Sequence, residues 1–569
     1  MHGFIAIINR NVSTIPVSWK KPFSFQEEYT LRKLNGSGFY IEQYTSLHFL
    51  KEKHWIDTPN FLFISEGIIL NASLLMKKYR VTDMALLVSL MYTQDTAFFR
   101  EFEGNFTGLF YDKNKDEWFF FNNQTGAKKL YYFKDKEYTV VSTDLYTLKQ
   151  SLDFLHISTQ TDIEAAYLLL TSGFMHGNKT LIQEVKQVRA GEYIHLQDNR
   201  LSSGFYFHLN QIEPTSDSKR DIIHTLDSLF REAVELEFNV QKEEHLQHIT
   251  TISGGLDSRM TLLTAWKSGY RQQHPLCFSE KGYADEIIAR EITKAYDLPL
   301  KYIPLSGEGL KHIDDVISVN DGQTIYTGSS HVFQAFRQLK QTAGLVHTGM
   351  IGDAVMGSFI SSPSGSPSIK ISSGVYSQSL LPKAEKIIKA SQNNYEDEET
   401  YKFYNRAFLG ANNGFLYYDL IGESFSPFLN TKFLSYAFSM PRQYKYKESL
   451  YIDWIRTLHP DIARFTWESI GGKPTNNKII RTCYRYKRAF IKRLPVKTMW
   501  KNNMNPEQVW YDSDKEIRNV LDNYFNTYIN LIQDKELKQD AISLYRDGDI
   551  TEKTQVITLL GGIKLLFNN

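Results

Sequence analysis

Cysteine is scarce in this sequence, where Cys277 and Cys483 are the two present among 569 residues. Two cysteines are too few for a disulfide framework or for a zinc site built from cysteines alone. Their scarcity indicates a reducing compartment. No apolar run approaches the roughly 18 to 20 residues that span a bilayer, and the apolar stretch at residues 4–8 is too short and lacks the basic leader of a secretion signal. We therefore expect a cytoplasmic protein.

A dominant charge is also absent. Lys and Arg number 65 against 64 Asp and Glu, which leaves a formal net charge of +1. This balance gives no global field for a nucleic acid or an anionic membrane, so it disfavours both as partners. A basic, aromatic-rich stretch at residues 478–493 is compatible with RNA or another anionic polymer, although a basic helical face is the commoner explanation.

Apolar residues are plentiful, at 42% of the chain, so an ordinary globular fold is expected. The length exceeds one core and suggests two to four domains at roughly 150 residues each. The first 150 residues are rich in short β-like runs, and a helix with Thr161 as its N-cap is predicted at 162–170. The runs are 61–64, 68–70, 117–121, 130–133 and 138–142. A strand at 192–196 follows, and the polar segment 210–220 indicates a linker with the boundary near residue 215.

Beyond residue 215 the apolar period changes from two to about 3.6, and predicted strands alternate with helices. A βαβαβ order implies a doubly wound parallel sheet. After about residue 375 the pattern is mostly helical, and the Ser/Pro/Gly-rich residues 361–374 indicate a mobile loop. The predicted elements are a strand at 248–252, a helix at 259–268, a strand at 276–279, a helix at 284–296 and a strand at 300–305.

The most informative motif is Ser-Gly-Gly-Leu-Asp-Ser at residues 253–258, between a predicted strand and a predicted helix. Glycines there let backbone N–H groups approach an anion, and the helix N-terminus adds positive potential. Asp257 suits a Mg²⁺ that neutralises phosphate. A tight turn capped by Ser253 or Ser258 is the alternative, and it is the better explanation of an isolated Ser-Gly-Gly triplet. The motif lacks the Gly-Lys-Ser/Thr ending of a P-loop. It resembles the pyrophosphate-binding motif of ATP pyrophosphatases, which adenylate a substrate.

Further segments follow in the order found in the asparagine synthetase B family, which this sequence resembles through about residue 475. The resemblance implies an α/β fold: an Ntn-hydrolase-like αββα sandwich resembling a class II glutamine amidotransferase over 1–210, then a doubly wound parallel-sheet ATP-pyrophosphatase domain with a helical extension over 216–569. The matching segments are 1–6, 66–71, 104–106, 126–132, 285–286, 347–353 and 423–430.

The N-terminal half departs from that family at its glutaminase residues. The family's nucleophilic N-terminal cysteine is replaced by His2, and imidazole is a poor substitute for a thiolate. The glutamine-binding Asn and Glu align with Glu66 and Ile68, while Asp83 is retained. We therefore predict that this domain does not hydrolyse glutamine and serves as a scaffold.

In the C-terminal half the resemblance implies an ATP site with Mg²⁺ held by Asp257 and Asp353. For any one of the residues lining the nucleotide, packing at a strand end is the competing explanation. The implied nucleotide-binding residues are Ile252, Ser253, Gly254, Gly255, Asp257, Ser258, Ser279, Thr348 and Gly349.

Two residues are predicted to act in catalysis. The family's glutamate in the 347–353 segment is Met350 here, which cannot take a proton, so Glu423 is the candidate base partner for the attacking amine. A surface or salt-bridged glutamate is the alternative. Phe425 replaces an expected arginine in the acceptor pocket. Lys473 is the candidate for stabilising the leaving pyrophosphate, with a solvated loop lysine as its alternative.

These residues predict an ATP-dependent, AMP-forming amide-bond ligase that activates a carboxylate as its acyl-adenylate for attack by an amine. Because glutamine supplies no ammonia, the amine is external or belongs to the substrate itself, as in lasso-peptide cyclases and β-lactam synthetases. The substrates, a small molecule, sugar or peptide, are not identified, and a homodimer or a biosynthetic partner protein is left open. The alternatives are ammonia-dependent asparagine synthesis, amidation of a polysaccharide precursor, and a catalytically silent nucleotide-binding scaffold.

Overall fold

The computed structural model describes residues 3–9, 29–240, 247–339, 344–364, 369–372, 374–477, 479–484, 486 and 503–568. His2 and most of the basic stretch at 478–493 lie outside these ranges. The predicted loop at 361–374 is described in part, as turns and irregular backbone.

The N-terminal half contains two antiparallel sheets, which have six strands each in the described ranges. Their orders are β10-β8-β9-β1-β3-β2 and β12-β11-β7-β6-β5-β4. The strands are β1 (Gly3–Ile8), β2 (Tyr29–Gly36), β3 (Phe39–Ser46), β4 (Trp55–Asp57), β5 (Phe61–Ile69), β6 (Gly104–Asp112), β7 (Glu117–Asn122), β8 (Tyr131–Lys134), β9 (Thr139–Ser142), β10 (Lys186–Gln187), β11 (Glu192–Gln197) and β12 (Arg200–Phe205).

Alternation of apolar side chains along these strands packs the two sheets face to face. Phe4 and Ile41 of the first sheet share a buried cluster with Leu109 and Phe120 of the second. Helices cover both outer faces, which gives the four layers of an αββα sandwich. They are α1 (Ala72–Tyr79), α2 (Met84–Gln94), α3 (Leu145–Phe154) and α4 (Ile163–Ser172).

The N-cap predicted for the helix after residue 161 was wrong by one position. Asp162, not Thr161, caps α4, because its carboxylate accepts a hydrogen bond from the Ala165 N–H at 2.9 Å. Thr161 instead forms an isolated β-bridge with Ile182.

The C-terminal half contains a parallel sheet with the order β15-β14-β13-β16-β17. The prediction of a parallel sheet is confirmed, although the sequence pattern did not reveal its last two strands. The strands are β13 (Gln247–Thr251), β14 (Gln273–Glu280), β15 (Lys301–Leu305), β16 (Gly344–His347) and β17 (Gly422–Phe425).

Most of the remaining described chain is helical, as predicted. The helix after the glycine motif begins at Leu256 rather than at residue 259, because the extended Gly255 forms its N-cap. The helices are α5 (Lys219–Phe238), α6 (Leu256–Lys267), α7 (Ala284–Ala295), α8 (Ile313–Asn320), α9 (Thr327–Arg337), α10 (Leu381–Gln392), α11 (Glu398–Lys402), α12 (Asn413–Tyr418), α13 (Thr431–Ser439), α14 (Arg442–Lys445), α15 (Ser449–Leu458), α16 (Pro460–Ala463), α17 (Glu507–Ser513), α18 (Lys515–Tyr528), α19 (Lys535–Asp547) and α20 (Ile550–Phe567).

Short 3₁₀ and π segments connect several of these elements. The 3₁₀ segments are Phe98–Glu101, Leu209–Gln211, Gly307–Lys311, Asp419–Ile421, Pro427–Leu429, Tyr446–Glu448 and Ile529–Leu531, and the π segments are Ala354–Ser358 and Phe403–Ala411. None of the helices in the described ranges combines the length and hydropathy needed to span a bilayer.

The two halves meet over a broad surface. One hydrophobic cluster includes residues of both α4 and α20, and the Asn105 amide donates a hydrogen bond to the Ser424 carbonyl at 2.6 Å. The segment between Gln211 and α5 has no regular structure, and the division into domains at 1–210 and 216–569 stays a prediction.

Candidate functional site

The glycine motif lies at the point where the strand order of the parallel sheet reverses. From β13 the chain continues to β14 and β15 on one side, and it returns to form β16 and β17 on the other. The crevice beyond the carboxyl ends of β13 and β16 is where open α/β sheets bind ligands. Residues 253–258 follow β13 directly, and residues 348–353 follow β16.

Hydrogen bonds within the loop fix its shape. The Gly254 N–H donates to Asp285 Oδ1 at 2.8 Å, and the Ser253 and Ser258 hydroxyl oxygens lie 3.1 Å apart. A Cβ at position 254 would lie 2.6 Å from the Cβ of Glu468, so a side chain does not fit there. The serines bond to each other while Gly255 forms the N-cap, which argues against the interpretation of this motif as a turn with a capping serine.

Two carboxylates come together beside this loop. Asp257 is partly buried, and its Oδ2 accepts a hydrogen bond from the Asp353 N–H at 3.1 Å. Tyr451 donates its hydroxyl to Asp257 Oδ1 at 2.8 Å. Burial raises the pKa of Asp257 well above its ordinary value, and the neighbouring Asp353 raises it further. A bound cation would relieve both effects.

The two carboxylates suit Mg²⁺ better than they suit a metal ion whose ligands all come from the protein. No group of three or more His, Cys, Asp or Glu side chains placed to hold a metal occurs in the described ranges. Mg²⁺ is commonly bound by one or two carboxylates together with substrate phosphates and water. Asp257 and Asp353 provide such a pair.

The backbone after β16 approaches Asp257 very closely. A Cβ on Gly349 would lie 2.5 Å from the Ser258 nitrogen, and one on Gly352 would lie 2.7 Å from Asp257 Cγ. Between these glycines Ile351 adopts a φ of +64°, a left-handed conformation that is costly for a β-branched residue. Such strain is characteristic of functional sites.

Three other residues predicted to line the nucleotide are buried at strand ends. Ile252 and Ser279 are 3% and 0% exposed. The Thr348 hydroxyl donates to the Phe425 carbonyl at 2.9 Å. These contacts agree with strand-end packing, and nucleotide contact by these residues stays a prediction.

Lys473 is exposed and lies just beyond a turn that is attached to the glycine loop. In that turn Trp467 pairs with Gly472, and the Glu468 N–H donates to the Gly254 carbonyl at 3.0 Å. The buried Arg259 strengthens this attachment, since its guanidinium donates to the carbonyls of Gly254 and Thr466 at 2.7 Å each.

Glu423 has different surroundings from the loop residues. It lies on the edge strand β17 and belongs to a buried group of five side chains between the two halves, here called the interdomain charge cluster. Glu423 is 3.0 Å from Lys53 and 2.7 Å from Lys128, and Lys128 is 2.7 Å from Asp419. The salt-bridged alternative therefore describes its contacts. The cluster consists of Lys53, Glu66, Lys128, Asp419 and Glu423.

The lysines of this cluster offset part of the cost of burying its carboxylates. Burial opposes the charge on Lys128, but the carboxylates of Asp419 and Glu423 outweigh it and raise the pKa of that ammonium group. Burial raises the pKa of Glu66, while Lys53 acts in the opposite direction. The cluster is therefore an ion-paired contact between the two halves.

Groups of the protein itself occupy the surroundings of the predicted glutamine-binding positions. Glu66 accepts a hydrogen bond from the Gln43 amide at 2.9 Å, and Ile68 packs in a buried cluster with Phe49 and Phe425. The retained Asp83 is exposed and caps α2 through a 2.9 Å hydrogen bond from the Leu86 N–H. These contacts are consistent with a scaffold.

Sequence reasoning missed several functional neighbours. Tyr451 carried no motif, and its contact with Asp257 spans 194 residues of sequence. Lys53 likewise carried no signal. Lys128 lies within the 126–132 segment that resembles the family, and Arg259 directly follows the glycine motif, so their positions gave some indication of importance.

Comparison with known proteins supports the N-terminal part of this description. Residues 66–207 match the family model of the glutamine amidotransferase domain. The chain therefore carries an amidotransferase-like domain in its N-terminal half. No curated protein matches the chain.

Two solved structures show weak similarity. An allosteric regulatory enzyme of purine biosynthesis matches with 9% identity and a TM-score of 0.23, over 53% of this chain and 74% of that one. A glutamine phosphoribosylpyrophosphate amidotransferase from B. subtilis, complexed with ADP and GMP, matches with 9% identity and a TM-score of 0.21, over 56% and 68%. TM-scores this low carry no conclusion about fold or function.

Proposed function

We propose that this protein is an ATP-dependent, AMP-forming ligase that joins a carboxylate to an amine without hydrolysing glutamine. The glutamine amidotransferase match at 66–207 supports a function related to amidotransferases. The observation that carries the ligase assignment is the Asp257–Asp353 pair beside the glycine loop, where the strand order reverses. The proposed division is a scaffold domain at 1–210 and an adenylating domain at 216–569.

In the proposed reaction a substrate carboxylate oxygen attacks the α-phosphorus of ATP, and the bond to pyrophosphate breaks. Mg²⁺ held by Asp257 and Asp353 would neutralise phosphate charge, and Lys473 would stabilise the departing pyrophosphate. The amine nitrogen then attacks the acyl carbon, AMP leaves with the bonding electron pair, and the nitrogen loses a proton. Glu423 is a proposed acceptor for that proton, although Lys53 and Lys128 compete for its carboxylate.

A catalytically silent nucleotide-binding scaffold is the second candidate. Met350 and Phe425 replace polar family residues, and the lysine pairs of Glu423 reduce its capacity to act as a base. ATP binding without AMP formation across a panel of acids and amines would favour this candidate. Aspartate-dependent pyrophosphate release with ammonia would instead identify an asparagine synthetase.

The deciding experiment is ATP–pyrophosphate exchange across a panel of carboxylic acids, with nucleotide products separated. We expect AMP, and we expect Asp257→Asn to lower exchange by about a hundredfold or more, as removal of a charge-stabilising group does elsewhere. The matched control is Asp297→Asn, which changes an exposed aspartate after α7. ADP as the product, or unchanged exchange in Asp257→Asn, would contradict the proposal.

A further inference from the structure

A cavity lined in part by acidic residues lies where the two halves of the molecule meet. It offers about 20 Å³ to the centres of water-sized groups, which is room for one small polar group such as an ammonium and not for a whole drug-sized ligand. Glu103 and Asn105 line it from the N-terminal half, Glu237 of α5 lines it from the C-terminal half, and Phe425 and Ser426 lie where β17 ends.

Glu237 is the most unusual residue in this pocket. It is 3% exposed, and its Oε2 lies 3.1 Å from Nδ1 of His347. Within the described ranges its Oε1 accepts no hydrogen bond, although the residue lines the cavity. Burial raises the pKa of Glu237 well above its ordinary value. That carboxylate oxygen can accept a hydrogen bond from a donor in the cavity.

Glu103 supplies a second carboxylate to the same cavity. Its Oε2 accepts hydrogen bonds from the Thr431 N–H at 3.1 Å and the Asn430 amide at 3.4 Å. Burial raises the pKa of Glu103. Among the described residues no Lys or Arg nitrogen forms an ion pair with Glu103 or Glu237; the charge of Lys432 acts on Glu103 from a longer distance, and His347 contacts Glu237. The cavity therefore has negative character and available acceptors, in contrast to the neighbouring interdomain charge cluster.

The pocket and the loop after β16 share a wall. The Phe425 carbonyl accepts hydrogen bonds from both the N–H and the hydroxyl of Thr348 at 2.9 Å. The Ser426 hydroxyl donates to the Met350 carbonyl at 2.9 Å. A ligand in the pocket would thus lie across residues 348–350 from the loop that carries Asp257.

We propose that this pocket binds the ammonium group of the amine substrate, with Glu237 and Glu103 as its anionic partners. The identity of that amine as the nucleophile rests on the ligase function proposed above. An ammonium group can donate to the Oε1 of Glu237 and to amide oxygens such as that of Asn105, which satisfies the acceptors that line the cavity.

The pocket would also prepare the amine for attack. Glu237 takes one proton from R–NH₃⁺, which leaves a neutral R–NH₂ with a free electron pair and a neutral carboxylic acid. A buried environment favours this neutral pair over two separated charges. Glu237 thereby takes the proton that the ammonium group loses before the attack, and Glu423 stays the proposed acceptor for the second proton, which the nitrogen loses after it.

Binding of methylammonium to the full chain tests the pocket, with the methyl protons followed by saturation-transfer NMR. We expect Glu237→Gln to weaken binding roughly ten- to a hundredfold, the effect of losing one charge-assisted hydrogen bond. Glu235→Gln is the matched control, because Glu235 lies two residues away on α5 and is exposed. Tetramethylammonium, which has no N–H donors, should bind more weakly than methylammonium to the wild-type protein.

The outcomes separate this pocket from the ligase function. Absence of methylammonium binding to wild-type protein, or equal binding by Glu237→Gln, would overturn the proposal that this pocket binds an ammonium group. If Glu237→Gln does not fold, Glu103→Gln serves in its place with the same expected direction. ATP–pyrophosphate exchange needs an acid but no amine, so a wild-type protein that binds methylammonium through Glu237 without exchange would overturn the ligase function alone.

Discussion

Acidic side chains have different partners in two regions of this molecule. In the interdomain charge cluster, Asp419 and Glu423 each lie 2.7 Å from Lys128. At the glycine loop, Asp257 instead contacts Tyr451 and the Asp353 backbone, and within the described chain no Lys or Arg forms an ion pair with it. Acids that are paired with lysines of the chain hold the two halves together and need no further cation. Acids without such lysines suit a cationic ligand.

The largest effect is expected when the charge cluster loses a cation. Lys128→Met leaves two buried carboxylates without their shared partner, so we expect the free energy of unfolding to fall by about 3–5 kcal/mol. Urea denaturation measures this. Lys389→Met is the control, because its pair with Glu385 is exposed and should contribute less than about 1 kcal/mol. Equal losses of unfolding free energy in Lys128→Met and Lys389→Met would show that the buried cluster contributes no more than an exposed ion pair.

At the glycine loop, removal of a charge is expected to raise the free energy of unfolding, not to lower it. Without Mg²⁺ at neutral pH, Asp257→Asn should stabilise the fold by about 1 kcal/mol, because it removes a partly buried carboxylate that lies close to another. Since the folded-state pKa is raised, the contribution of Asp257 to wild-type stability should be most favourable below the ordinary pKa of 3.8 and fall as pH rises from there toward the raised value. Thermal unfolding between acid and neutral pH measures this slope.

The stability of Asp257→Asn should depend less steeply on pH than the stability of the wild type. Mg²⁺ with ATP should stabilise the wild type and have little effect on the variant. A variant with unchanged slope and unchanged response to Mg²⁺ would show that Asp257 does not hold the cation.

A smaller effect is expected from Tyr451→Phe, which removes one hydrogen bond to Asp257 and keeps the ring. The hydrogen bond is worth about 0.5–1.5 kcal/mol, so ATP–pyrophosphate exchange should fall a few-fold to about tenfold, with a higher Mg²⁺ requirement. Tyr446→Phe is the control on the segment before α15. A loss of exchange without any change in Mg²⁺ requirement would assign Tyr451 a packing role only.

We expect this protein not to hydrolyse glutamine. The predicted glutamine-binding position Glu66 belongs to the charge cluster, and Ile68 packs in a buried apolar cluster. Glutamine should yield no glutamate, measured by a coupled glutamate assay with an active glutaminase as control. Measurable turnover would show that the N-terminal half retains catalysis despite His2.

The sequence predicted the parallel sheet and the loop at 253–258 because both depend on local patterns. Alternating strands and helices, and glycines between a strand and a helix, occupy contiguous residues. β17 was missed because Gly-Glu-Ser-Phe at Gly422–Phe425 has no strand periodicity. Its glutamate is buried because lysines from the other half neutralise it.

The sequence by itself determined the alternation of strands and helices and the residue types of the glycine loop, since backbone preference and side-chain period act over a few neighbouring residues. The tertiary structure decided which acids have cations. Lys128 reaches Glu423 across 295 positions, and Tyr451 reaches Asp257 across 194. Electrostatic energy depends on distance in space and on burial, and neither can be read from separation along the chain.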